Sequence, residues 1–121
     1  MSGESPYPVG DLVDRIARSA LGALTHVVVV VPPDAPSSRA AYDLAMGMSD
    51  ELARRGRRDA AELTVVTPEQ TPLATLERLA REGIRLLAGR VARDWAWGRL
   101  LLDDETTVSA DRVIILPLPS R

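Results

Sequence analysis

The chain has 121 residues, 26% of them charged and 45% hydrophobic, the proportions of one ordinary globular domain with room for a single compact core. Its 15 basic and 17 acidic residues leave a net charge of -2, which gives no general attraction to nucleic acid. Cysteine is absent, which excludes disulfides, thiol chemistry and cysteine-ligated metals, and the single histidine, His26, excludes a multi-histidine metal site within one chain.

Residues 1–9 read as a flexible N-terminal arm, and residues 10–121 as a single domain. The polar, acidic start Met1–Pro6 has no basic-then-apolar signal pattern, and the longest apolar run, Val27–Pro33, is too short for a membrane span. A cytoplasmic protein is the expectation. The first helix is expected over Asp11–Leu24, with Asp11 as N-cap, an inner stripe of Leu12, Ile16 and Ala20, and Val13, Ala17, Leu21 and Leu24 beside it. Five valines, Val27–Val31, follow. An unbroken β-branched run suits a strand buried on both faces, and Pro32 and Pro33 end it because they lack a backbone donor.

Ser37 or Ser38 caps a second helix running to about Arg55, with Ala41, Leu44, Ala45, Met48 and Leu52 inward and Gly56 as the stop. A second strand spans Leu63–Thr67 and ends at Pro68. Thr71 and Pro72 read as N-cap and first residue of a third helix with Leu73, Leu76, Leu79 and Ala80 buried, Glu77 and Arg81 paired outside, and Gly83 at its end. A third strand starts at Ile84. The pattern then changes to short strands at Val91–Trp95, Arg99–Leu102 and Thr106–Ser109, with a tight connection over Ala96–Gly98. A last apolar strand, "RVIILP", follows Asp111. Strands alternating with helices imply an α/β, Rossmann-like three-layer domain: a parallel sheet with right-handed crossovers, helices on both faces, and a small antiparallel β-meander before the last strand.

Four stretches, "VVVVVPPDAP", "AAYDLAMGMSDELARRG", "LTVVTPEQTPLA" and "GIRLLAGRV…GRLLLDD…VSADRVIILP", carry a resemblance over about residues 12–119. In order and spacing they resemble the NAD(P)-binding middle domain of FAD-dependent pyridine nucleotide oxidoreductases related to sulfide:quinone reductases and NADH dehydrogenases. The resemblance implies a dinucleotide site at the turn after the first strand. It also implies flanking FAD-binding segments for which 121 residues leave no room. An isolated domain is therefore expected: a split-off subunit, a truncated product or an independently used module.

The turn that would hold the dinucleotide departs from the glycine-rich pattern. It reads Pro32–Pro33–Asp34–Ala35–Pro36–Ser37–Ser38, where three prolines remove donors and Asp34 opposes a phosphate. Ser37, Ser38 and Arg39 still offer hydroxyls, amides and a positive charge, so a phosphate site and a plain capped helix start both stay open. Glu69, just past the second strand, stands where the family's ribose-binding acid is found; the other reading is a solvated loop acid. Asp34, Ser37, Ser38, Arg39 and Glu69 are thus the candidate cofactor-binding residues, with no catalytic and no metal-ligating residue assigned.

His26 opens the first strand with no partner evident in sequence. The arginines of "RRGRR", Arg54, Arg55, Arg57 and Arg58, suit a helix C-terminus. Trp95 and Trp97, two of only four aromatic residues, flank the hairpin connection, where alternation would put both on one face as a partner surface or as cover for a core end. The functional expectation is a Rossmann-like module that is not catalytic alone and acts through homo-oligomer formation or a flavin-carrying partner subunit. The alternative is an NAD(P)H-binding subunit of a split flavin-dependent oxidoreductase, with NAD(P) bound by this chain and FAD only through a partner chain.

Overall fold

In a computed structural model the described residues are 9–19, 24–34 and 38–116. Helix α1 spans Val9–Ser19, strand β1 Thr25–Val30, helix α2 Arg39–Arg54, strand β2 Ala61–Thr67, helix α3 Leu73–Arg81 and strand β3 Arg85–Ala88. The antiparallel strands β4 (Ala92–Ala96), β5 (Arg99–Leu102) and β6 (Thr107–Ser109) come next, and β7 (Arg112–Ile115) closes the sequence of elements. The main sheet is parallel with strand order β3-β2-β1-β7, and β4-β5-β6 form a separate sheet.

Strand β1 lies between β2 and β7, and the valines divide by alternation between two cores. Val27, Val29 and Val31 pack with Val13 and Ile16 of α1, with Leu44, Met48 and Leu52 of α2, and with Leu79 of α3. Val28 and Val30 pack with Val66, Leu100, Leu102, Val108 and Ala110 of the other face. The three-layer α/β architecture is the expected one. The expected helices on both faces are not found: α1, α2 and α3 all send their buried residues into the first core, and the second outer layer is the antiparallel sheet.

Chain direction explains this division. The chain steps from β1 to β2 to β3 in one direction, so right-handed crossovers place α2 and α3 on the same face. It then returns past β1 to reach β7, and the same handedness puts the returning meander on the opposite face.

Helix boundaries and packing correct several expectations. Helix α1 begins at Val9, so Asp11 sits inside its first turn, where its charge meets the helix dipole, rather than at the N-cap. Of the arm expected over 1–9, only Val9 is described, and it is already helical. Ala20 and Leu21 lie outside the described residues, and Leu24 is exposed just before β1. The α2 stripe is as expected, with Ala41, Leu44, Ala45, Met48 and Leu52 fully buried. Gly56 ends that helix region with a φ of 69°, a left-handed conformation open to glycine at little cost.

Helix α3 differs. Pro72 occupies its N-cap, Thr71 lies outside it, and only Leu79 of the expected stripe is buried. Leu73 and Leu76 are exposed by 70% and 41%, and Ala80 is exposed as well. Strand β3 is the sheet edge, so none of the described elements packs outside it to cover these leucines.

Arg58 fastens the amino end of the sheet. Its Nε donates to Ser49 Oγ (2.9 Å), Nη1 to the Ala61 carbonyl (2.9 Å) and Nη2 to the Glu82 carbonyl (2.7 Å), tying α2, β2 and the end of α3 together. Arg54 and Arg55 pair with Glu51, and Arg55 also reaches Asp14 of α1. These contacts hold the Glu51 carboxyl below its usual range and the Arg55 guanidinium above its own. Arg54, Arg55 and Arg58 of "RRGRR" are thus engaged within the fold. Replacing Arg58 by Ala is expected to lower stability by about 1–2 kcal/mol, because the part-buried Ser49 hydroxyl and Ala61 carbonyl lose their charged donor. Urea unfolding with an unchanged m-value checks this.

Candidate functional site

In an open α/β sheet the ligand crevice lies beyond the carboxyl ends of the strands, where the strand order reverses. Here the order reverses between β1 and β7. The crevice is floored by the turn after β1 and by the ends of β2 and β7.

The turn after β1 lacks glycine and is short of donors. Val31 is buried and its N–H donates to the Val66 carbonyl (2.9 Å), while Pro33 and Asp34 form an exposed turn. Ser37 lies outside the described residues. Ser38 occupies the N-cap position of α2 in an α-helical conformation (φ -91°, ψ -1°), which turns its side chain away from capping. Its Oγ instead lies 2.5 Å from Thr67 Oγ1, with Ser38 1% and Thr67 0% exposed. Thr67 stands on the helix side of β2 by alternation with Leu63 and Val65, which brings it under the first turn of α2. The Ser38 hydroxyl thus joins the start of α2 to the end of β2.

Thr67 also accepts from the Glu69 N–H (3.2 Å) at its Oγ1, and its carbonyl accepts from the Arg90 N–H (3.0 Å). Glu69 is exposed, and its carbonyl accepts from the Gly89 N–H (3.2 Å). Arg39 is exposed at the start of α2 and lies 3.9 Å from the Asp43 carboxylate. Among the sequence-derived candidates, Asp34, Ser38, Arg39 and Glu69 therefore gather at the carboxyl end of β1 and β2. Thr71 and Tyr42, which sequence reasoning passed over here, join through their hydroxyls at 2.8 Å and close the side of the crevice between α2 and α3.

On the meander side the same crevice is apolar. A cavity of about 200 Å³ lies between Val31, Pro32 and Pro33 after β1, Ile115 of β7, and Leu100 and Trp95 of the meander. Arg90 pairs with Asp104, fixing the β5–β6 turn to the end of β3.

The two tryptophans do not act as a pair on one strand face. Strand β4 ends at Ala96, and Trp97 is the first residue of a two-residue turn with φ 58°, followed by Gly98 at 72°. Positive φ at both positions defines the hairpin turn whose twist matches its strands. Trp97 is 98% exposed there. Trp95 is 48% exposed, and its Nε1 donates to the Ala110 carbonyl (2.9 Å) just before β7. It borders cavities on both sides of β7, so its ring stands beside the open edge of that strand.

His26 has the partners that sequence could not show. Its Nδ1 lies 3.2 Å from Asp111 Oδ2 and its Nε2 3.3 Å from Glu62 Oε1. Its backbone N–H donates to Asp111 Oδ2 (2.8 Å), and its carbonyl accepts from the Asp111 N–H (2.7 Å). The signal was register: His26, Glu62 and Asp111 each stand at the amino end of one of three adjacent strands. The cluster pins β1 to its neighbours at the end of the sheet opposite the crevice. No group of three His, Cys, Asp or Glu among the described residues is placed to hold a metal. No described helix is long and apolar enough to cross a membrane.

The fold occurs within FAD/NAD(P)-dependent oxidoreductases. The chain is similar to part of the sulfide:quinone oxidoreductase of Aquifex aeolicus, with a TM-score of 0.67 and 16% identity over 88% of this chain and 29% of that one. It is also similar to part of NDH2 from Plasmodium falciparum, solved in complex with NADH (TM-score 0.59, 13% identity, 88% of this chain and 26% of that one). A third similarity is to a ferredoxin reductase from Rhodopseudomonas palustris (TM-score 0.56, 19% identity, 86% and 26%). No family model matches the chain, and no curated protein does. The chain has the fold of one domain of such enzymes and spans under a third of the length of each.

Two expectations follow. Thr67→Val strands the buried Ser38 hydroxyl and costs about 1–3 kcal/mol, whereas the double variant Ser38→Ala/Thr67→Val costs less than the sum of the single changes; a double-mutant cycle by denaturant unfolding measures the coupling. The second concerns acid stability. The His26 backbone N–H holds the Asp111 carboxyl below its ordinary value, with the His26 side chain adding to the effect against desolvation. A depressed folded pKa stabilises the fold above the unfolded carboxylate range and loses that contribution as pH falls through the folded value. Asp111→Asn should therefore flatten the acid limb of the stability–pH curve, measured by denaturant unfolding across the acid range.

Proposed function

We propose that this chain is a Rossmann-like module of the flavin-dependent oxidoreductase type that works by association, with a second copy or with a flavin-carrying partner subunit, and does not transfer hydride alone. The observation that supports this is the Ser38–Thr67 hydroxyl pair, which consumes the side chain a phosphate would need at a turn already lacking glycine. Hydride transfer also needs an electron acceptor, and the flavin of such a reaction would come from the partner. Exposed apolar side chains supply surfaces for association: Leu73 and Leu76 on α3, and Trp95 and Trp97 at the β4–β5 hairpin. The module would function in the cytoplasm.

A second reading, an NAD(P)H-binding subunit of a split oxidoreductase, draws on one arrangement. Arg39 and Glu69 both remain exposed at the crevice, a cation at the start of α2 and an acid past β2, where a pyrophosphate and an adenosine ribose would lie. On this reading Asp34, Ser37 and Ser38 would line the pyrophosphate.

Sedimentation velocity over a hundredfold concentration range, with and without NADH, separates the two. Association that is weakened by Leu73→Ser and indifferent to NADH is the expected result. A chain that stays monomeric and binds NADH one-to-one overturns the first reading in favour of the second.

A further inference from the structure

The two edges of the main sheet are not alike. The Trp95 ring stands beside β7, whereas none of the described elements lies outside β3. Strand β3 pairs with β2 alone, so its outer backbone groups have no ladder partner among the described residues, and another strand can add there. Helix α3 overhangs the same edge. Its α2-facing side is marked by Glu82, whose carboxylate accepts from Ser49 Oγ (3.2 Å). Leu73, Leu76 and Ala80, spaced i, i+3 and i+7, stand across the helix from that contact, and all three are exposed.

The charges around this stripe are self-complementary. Glu77 and Arg81 stand four residues apart on its solvent flank, and neither makes an ion pair among the described residues. Arg78 is turned toward the α2 side of the helix. Arg85 begins β3 on the sheet face away from α3, by alternation with Leu86, which packs on the helix-side core. A twofold axis perpendicular to the sheet would pair β3 antiparallel with its copy and lay the two α3 helices side by side, also antiparallel. The acid of each helix then meets the base of the other, and the small Ala80 leaves room for the opposing Leu76.

From this combination we infer that the β3–α3 edge takes a second copy of this chain through such a twofold, with β3 against β3, Leu76 over the other copy's Ala80, and Glu77 against the other copy's Arg81. The inference rests on the proposed reading of association and names its partner and its face. One operation covers both the open strand edge and the overhanging leucines, which a copy docked on either feature alone would leave half exposed.

Sedimentation equilibrium of the full chain at physiological salt tests it. Glu77→Arg and Arg81→Glu, both at exposed positions, should each weaken self-association about tenfold, since each sets like charges together twice across the twofold. An equimolar mixture of the two variants should associate as tightly as the unaltered chain, because opposite charges then meet at both places. Trp97→Ser on the hairpin should change nothing, and β3 amides should exchange more slowly as concentration rises. Association that neither reversal weakens, that the mixture does not restore, or that Trp97→Ser weakens more overturns the inference and leaves the reading of association standing. A chain that stays monomeric throughout also overturns the inference, and one-to-one NADH binding by that monomer overturns the reading with it.

Discussion

The fold depends on a strand with no solvent face. Valine side chains on β1 enter the helix-side core and the meander-side core alternately, so each outer layer is held to the sheet through the same few residues. Burying a valine side chain contributes about 1.5–2 kcal/mol, and the run Val27–Val31 makes that contribution on both faces. The neighbouring strands are fixed to it by parallel ladders and, at their amino ends, by the contacts of His26 with Glu62 and Asp111. The polar clusters at the amino end and the crevice at the carboxyl end take their positions from this strand.

A strand so rigidly held delivers its carboxyl end to a fixed place, and there the chemistry departs from a dinucleotide fold at work. Prolines stand where backbone amides would face a pyrophosphate. Below them the Ser38 hydroxyl meets Thr67 instead of solvent. The Ser38 and Thr67 hydroxyls form a buried brace between α2 and β2. The apolar surfaces lie elsewhere, on α3 and on the hairpin, where neither stabilises a core among the described residues.

Most of the fold was legible because its signals are local and redundant. The valine run with its closing prolines, the α2 stripe ending at Gly56, and the change of rhythm after Ala88 each mark an element by pattern alone. What was not legible came from non-local geometry. Leu73 and Leu76 look like a core stripe until strand order shows β3 to be an edge with none of the described elements outside it. Trp95 and Trp97 look like one strand face until the two-residue turn separates them. The carboxylates of Glu62 and Asp111 lie 36 and 85 residues from His26, and only the strand register brings them together. At the candidate site, sequence pointed to Asp34, Ser38, Arg39 and Glu69, which stand around the carboxyl ends of β1 and β2. It could not show that Ser38 faces Thr67, since the partner is 29 residues away on another strand.

The most direct test of this account is amide-resolved titration of the chain with NADH, followed at Ser38, Arg39 and Ala41 and repeated in Thr67→Val. With the Ser38 hydroxyl committed to Thr67, these amides should hold their positions to millimolar NADH in the unaltered chain. Saturable movement of the same amides at micromolar NADH would contradict the account and mark the turn after β1 as a working dinucleotide site.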